Sequence, residues 1–479
     1  MILIALRLFL LGHIGFRAVS RVLSILASDL GIEGKTPCHQ TIINWVTRYS
    51  CAKIWTYCAY TAPPSLVIKN DKLINGAIWL IDESIGLGSG KILTVLELKI
   101  DHHNTHEGPP TLGDVNCVSI SVATSWTGES IADFLQQTIN ITGKPAAFLK
   151  DGGTNLAKGV RLLNEKGLFC HSIDDVSHVV ANLLKREYTK HPSYEAFVSI
   201  CGQASKKMKQ TLLASLSPPK ISTKARFMNI HRLVTWAEQI IKHSPCGRAS
   251  KGSIISKLRK SLGTLPEHRQ FIRRFLRDSR ALLKCQEVLK IKGLSVGTYN
   301  ECKTLLQYIP QRSRIYIGFV TWMENQLMVA HSLGVSSIGM PICSDILESL
   351  YGVGKIHGTG EIKDANRIAL RLPSYCGELS DDAAKMVMGV STKQQQDVEK
   401  KLFSLTRQRR KVLPNPGAIT DLLTSESNQY LSLLPMPKVG EKMKEISNIT
   451  DRCGNGNGAL SSEPKNSKET YGLNFQVAS

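Results

Sequence analysis

The stretch IWLIDESIG, residues 78–86, runs four apolar residues straight into Asp82, with Glu83 beside it. An Asp just past an apolar run is commonly a turn residue, because Asp favours turns. It takes on chemical meaning only if other carboxylates occur where they can converge on it. Downstream, KILTVLELKI at 91–100 and NCVSISVATSW at 116–126 read as two further short strands, rich in β-branched residues. Three strands in a row predict antiparallel pairing. GESIADFLQQTIN at 128–140 is amphipathic with helical spacing, and AAFLKDGG at 146–153 is a strand closing on Asp151. NLAKGVRLLNEKG at 155–167 is helical again, FCHSIDD gives a short strand, and DVSHVVANLLKREY a helix. The order βββαβαβα predicts an α/β fold built on a mixed sheet.

Upstream, FRAVSRVLSILASDL places Val19, Val22, Leu23, Ile25 and Leu26 at helical spacing and stops at Gly31. TPCHQTIINWVTRYS then sets Ile42, Trp45 and Val46 on one side of a second helix and His39, Gln40, Thr41, Asn44 and Arg48 on another. Residues 1–62 therefore read as a helix-turn-helix. That motif lays the N-terminal part of its second helix in the major groove, where Gln and Asn pair with adenine and Arg with guanine or phosphate. The helix at 38–49 is the expected reading element, although two-helix hairpins also serve simple packing. The apolar opening MILIALRLFLLGHIGF is broken by Arg7 and has no basic segment before it, which argues against a signal peptide. No stretch approaches the ~20 uninterrupted apolar residues of a transmembrane helix.

Lys and Arg outnumber Asp and Glu by 60 to 39 over 479 residues, a formal charge of +21. A surplus of that size points to a polyanionic partner, nucleic acid ahead of an anionic membrane. It is unevenly placed: residues 201–290 hold 20 Lys and Arg against 4 Asp and Glu. Residues 195–340 read as a basic, mostly helical insertion, with Trp236 in its core. The 12 Cys show no paired CxxC spacing and read as reduced thiols of a cytosolic protein. CSDILESLYGVGK at 343–355 is a helical run carrying Glu348, and KKLFSLTRQRRKVLPNP at 400–416 a basic helix ending at prolines. From 416 to 479 the chain turns polar and rich in Gly and Ser, the composition of a disordered tail.

Asp82 and Asp151 both end strands, and in a sheet whose central strands run parallel two such ends lie side by side at one rim. A third carboxylate from a distant helix would complete a site for two divalent ions. Two Mg²⁺ about 3.5–4 Å apart stabilise the attacking and the leaving oxygen of a phosphodiester displacement, and carboxylates are the hard ligands that hold them. Without the metal, clustered acids raise one another's pKa. Glu83, Glu97, Glu324, Glu361 and Asp174 compete for these roles, Glu361 in GTGEIKD being the main alternative to Glu348. His102, His103 and His106 in DHHNTHEG read as a polar loop rather than a metal cluster.

The order of a helix-turn-helix, Asp82, Asp151 in FLKDGG and Glu348 in SDILESLYGVGK resembles a DDE-type transposase of a bacterial insertion sequence, over roughly residues 15–410. Lys355, seven positions after Glu348, is similar to the Glu-x₆-Lys spacing of several insertion-sequence families. Asp175-Val176-Ser177-His178 resembles the Cys/Asp-x-x-His signature of hAT-like and Mutator-like transposases. The resemblance implies a ribonuclease H-like catalytic core split by an insertion, with parts at 76–194 and 341–415. It implies catalytic, metal-binding Asp82, Asp151 and Glu348 holding two Mg²⁺, for which Mn²⁺ substitutes. Asp175, His178 and Lys355 would support the site. Element ends and target DNA would be the partners, paired by a homo-oligomer in a bacterial cytoplasm at the nucleoid. A nuclease on the same core, or a DNA-binding relic without chemistry, are the alternatives. The N-terminal region looks short for a complete end-binding domain.

Overall fold

The computed structural model describes residues 1–60, 76–84, 90–220, 226–356 and 365–401, with the short segments 430–432 and 472–473. The chain divides into two units. One comprises residues 1–100, 110–172 and 344–479, and the other residues 101–109 and 173–343.

The first unit is built on a mixed sheet. β1 (Ala77–Glu83), β2 (Lys91–Lys99) and β3 (Val115–Ala123) pair antiparallel in sequence, and β4 (Ala147–Lys150) joins β1 in parallel. β5 (His171–Asp174) follows, its first N–H donating to the Ala146 carbonyl, so the order is β5-β4-β1-β2-β3. Segments 430–432 and 472–473 extend the β3 edge. The apolar run of β1 is continuous because both faces of the strand are covered. Trp79 and Ile81 pack into a core with Phe134, Leu135, Phe148, Leu156, Val160 and Leu163. Those partners come from β4 and from the helices Gly128–Thr142 and Thr154–Glu165. Ile78 and Leu80 point the other way and are equally buried.

The strands and helices expected from 78 to 188 and at 343–355 lie where periodicity placed them, whereas the basic helix expected at 400–416 and the tail at 416–479 fall almost wholly outside the described residues, and the N-terminal region differs. The apolar opening forms a helix, Ile2–Leu10, which buries Ala5, Leu6, Phe9 and Leu10; Phe9 stacks on Phe16 at 4.2 Å. Helix Phe16–Asp29 follows, and the helix expected at 38–49 runs on from His39 to Tyr60. It does so because Ile42, Val46, Tyr49 and Ile54 keep one side buried over several turns.

The second unit begins at Ile173, ahead of the expected boundary at 195, so the helix Val176–Tyr188 belongs to it. Further helices include Pro192–Met208, Arg226–His243, Arg269–Lys292 and Arg314–Ser332. An aromatic cluster of Tyr188, Phe197, Phe271 and Phe275 joins the helices Val176–Tyr188, Pro192–Met208 and Arg269–Lys292, and the Tyr188 hydroxyl donates to buried Asp278 at 2.5 Å. Trp236 is only half-buried, its indole N–H donating to the Leu216 carbonyl at 3.0 Å; Leu233, Val234 and Ala237 of the same helix fill the core instead. His102–Thr105 form a single helical turn in this unit, with the rings of His102 and His106 stacked at 5.0 Å. Among the described residues no helix is long and apolar enough to cross a membrane.

Candidate active site

β1 and β4 run parallel with Ile81 opposite Lys150, so Asp82 and Asp151, the next residue on each strand, emerge side by side. Each carboxylate is held by the backbone that follows it. Asp82 Oδ1 accepts the Glu83 N–H at 2.7 Å, and Asp151 Oδ1 accepts the Gly153 N–H at 2.8 Å. Glu348 lies exposed in the first turn of the helix Asp345–Ile356, where the N-terminal end of the helix dipole favours an anion. Lys355 occupies its last turn, one heptad further along the same face.

The three acids feel one another. Burial pushes the Asp82 carboxyl up to about 8, and the charges of Asp151, Glu348 and Glu83 push the same way, against the Glu83 N–H bond that favours the anion. Asp82 thus lies within electrostatic reach of Asp151 and of Glu348, which is 266 residues away along the chain, and burial above all keeps its proton on. Carboxylate oxygens are the ligands a hard divalent cation takes, and such an ion would supply the charge this cluster lacks, although the three carboxylates do not all lie within 4.8 Å of one another here.

Two of the competing carboxylates are engaged in other contacts. Glu83 pairs with Lys91 on the neighbouring strand, and Glu324, in the second unit, accepts the Tyr299 hydroxyl at 2.8 Å. Glu361 lies outside the described residues. Asp175 is buried in the second unit, where its Oδ1 accepts the His178 N–H at 2.9 Å and caps the helix Val176–Tyr188. That capping bond gives the Asp-x-x-His spacing a structural use.

Of the five polar residues expected to read DNA, four make hydrogen bonds within the protein, Thr41 through its hydroxyl to the Cys38 thiol at 3.4 Å. Arg48 donates to Gln395 at 3.0 Å and to Thr392 at 2.6 Å, both on the helix Thr392–Lys401. Asn44 accepts from Gln395 and from Gln40, each at 3.1 Å. His39 and Gln40 are exposed at the N-terminal turn, with Thr41 partly so.

Two residues of the site escaped the sequence reading. Gly153 is one: a Cβ there would lie 2.7 Å from Asp151 Oδ1 and would push that carboxylate oxygen out of its seat. The second Gly of FLKDGG was the available signal. The other is Tyr351, buried three residues after Glu348, whose hydroxyl lies 3.0 Å from the Asp82 carbonyl oxygen. Gly153→Ala should therefore fold, because φ there is −66° and suits alanine. It should nevertheless weaken divalent-ion binding by about tenfold or more, the scale on which groups that orient metal ligands act. Calorimetric titration of Mn²⁺ into both proteins checks this.

No protein-family model matches this chain, and no curated protein matches it either.

Proposed function

We propose that this protein is a DNA transposase of the DDE type, with a ribonuclease H-like catalytic core. The observation that carries the reading is that Asp82 and Asp151 emerge side by side from parallel strands, with the Asp82 carboxyl raised by burial and then by the charges of Asp151 and Glu348. Three antiparallel strands followed by a fourth parallel to the first support the fold assignment. Asp82, Asp151 and Glu348 would hold two Mg²⁺, or Mn²⁺ in their place. When bound, these ions stabilise the attacking and leaving oxygens of an in-line phosphodiester displacement.

The chain's own contribution is position and charge. Backbone N–H groups fix Asp82 and Asp151, a helix presents Glu348, and Lys355 in the last turn of that helix would meet a phosphate. Activated water would cut the element ends, and the resulting 3′-hydroxyl would attack target DNA. The reading takes the protein to work in the bacterial cytoplasm as a homo-oligomer pairing two ends, with His39, Gln40 and Thr41 the residues left to read sequence. The basic helical unit would assist in holding the DNA, Asp175 acting only through the helix it caps.

The helix Arg269–Lys292 favours a phosphate backbone on that unit. Phe271, Phe275, Leu282 and Leu289 face inward, while Arg273, Arg277, Arg280 and Lys284 are exposed. Arg277 pairs with Asp278 and Arg280 with Glu238. Arg273→Ala and Lys284→Ala should each weaken binding to all duplexes alike and lower the slope of log K against log salt by about 1. Fluorescence anisotropy across a salt series measures both. The function itself is tested by incubating the protein and Mg²⁺ with a duplex built from the DNA flanking its coding region. Joined product supports a transposase, cleavage alone a nuclease, and binding without either a DNA-binding relic.

A further inference from the structure

We propose that Tyr351 is a positioning residue of the carboxylate site, its phenol hydroxyl locking the helix that carries Glu348 onto the strand that carries Asp82. The inference rests on the metal-site reading above. Glu348 comes from a helix far along the chain from β1, so some contact must fix where that helix stops against the sheet. Apolar packing by Ile346, Leu347 and Leu350 buries one side of the helix, yet such contacts are non-directional and tolerate small slides. A hydrogen bond from the same helix to a defined atom of β1 does not.

Tyr351 supplies that bond. Its ring is 5% exposed, and its hydroxyl lies 3.0 Å from the Asp82 carbonyl oxygen and 3.5 Å from that of Ile92 on the paired strand. The single phenol proton goes to the nearer oxygen, which belongs to the very residue whose side chain forms the site. Tyr351 is one helical turn beyond Glu348. A single side chain therefore spans from one turn below the third carboxylate to the peptide of the first. Because the acceptor is a main-chain carbonyl, the tether takes nothing from the carboxylate oxygens.

The experiment is a Mn²⁺ titration of the full chain followed by electron paramagnetic resonance, on the natural protein, Tyr351→Phe and Asp82→Asn. Joining or cleavage is assayed in parallel across Mn²⁺ concentrations. Phenylalanine keeps the ring and removes only the hydroxyl. The expected result is saturable Mn²⁺ binding that Asp82→Asn abolishes. Tyr351→Phe should need on the order of tenfold more Mn²⁺, and its activity should recover at saturating metal, a rescue that loss of packing would not give. Identical titrations of Tyr351→Phe and the natural protein would overturn the role of Tyr351 and leave the metal site standing. Titrations that Asp82→Asn does not change would overturn the site reading and this inference with it. A Tyr351→Phe chain that fails to fold by circular dichroism would make the hydroxyl a determinant of the fold and overturn its assignment to the site.

Discussion

Asp151→Asn should leave the protein folded and bound to DNA while lowering joined product by on the order of 10³-fold, the scale of losing one preorganised electrostatic group. Asparagine is nearly isosteric with aspartate, and its amide oxygen can still accept the Gly153 N–H that Asp151 Oδ1 accepts at 2.8 Å. The turn after β4 and the start of helix Thr154–Glu165 should therefore survive. What is lost is one negative charge from a set of three. DNA affinity should persist, because the basic helical unit that would carry it is untouched. Gel analysis of strand joining, with anisotropy on the same duplex, separates the two quantities. If the mutant joins strands as well as the natural protein, Asp151 is not a metal ligand and the DDE reading fails. If neither protein reacts while both bind, the relic is the better account.

The sheet was legible because its elements announce themselves locally. IWLID, KILTVLELK and NCVSISVA carry β-branched and aliphatic runs bounded by turn residues, and the helices at 128–142 and 154–165 repeat apolar residues at helical spacing. Asp82 and Asp151 were legible for the same reason, as strand ends whose placement follows from the topology. Contacts between elements distant in sequence were not. Nothing near Arg48 says that Thr392 and Gln395 will take its guanidinium, and nothing near Asp175 distinguishes a helix cap from a functional acid. The extent of helix His39–Tyr60 was misjudged because the surfaces that bury its second half lie elsewhere in the chain. Tyr351 looked like one more apolar-face residue, since its acceptor is a backbone carbonyl that no side-chain pattern records.

Asp82 should also make the metal-free protein less stable as pH rises from about 4 to about 8. Its carboxyl is raised in the fold from 3.8 to about 8, so between those values the unfolded chain has released a proton that the native protein still holds. The unfolded state then binds fewer protons, and stability falls with pH, by at most about 1.4 kcal/mol per unit for one group. The loss is complete above the folded value, where the native protein must keep an ionised Asp82 beside Asp151 and Glu348. Mg²⁺ should offset it by binding the ionised cluster, which ties apparent metal affinity to pH in the same window; at 100 times its Kd a ligand adds about 2.7 kcal/mol. Asp82→Asn removes the titrating group, so the difference in urea midpoint between natural protein and mutant isolates its share from every other titration. In EDTA that difference should move toward the mutant as pH rises from 5 to 8, and Mg²⁺ should stabilise the natural protein far more than the mutant. A difference that stays constant with pH would mean that Asp82 ionises freely in the fold, and the three acids would then lie too far apart to share a metal.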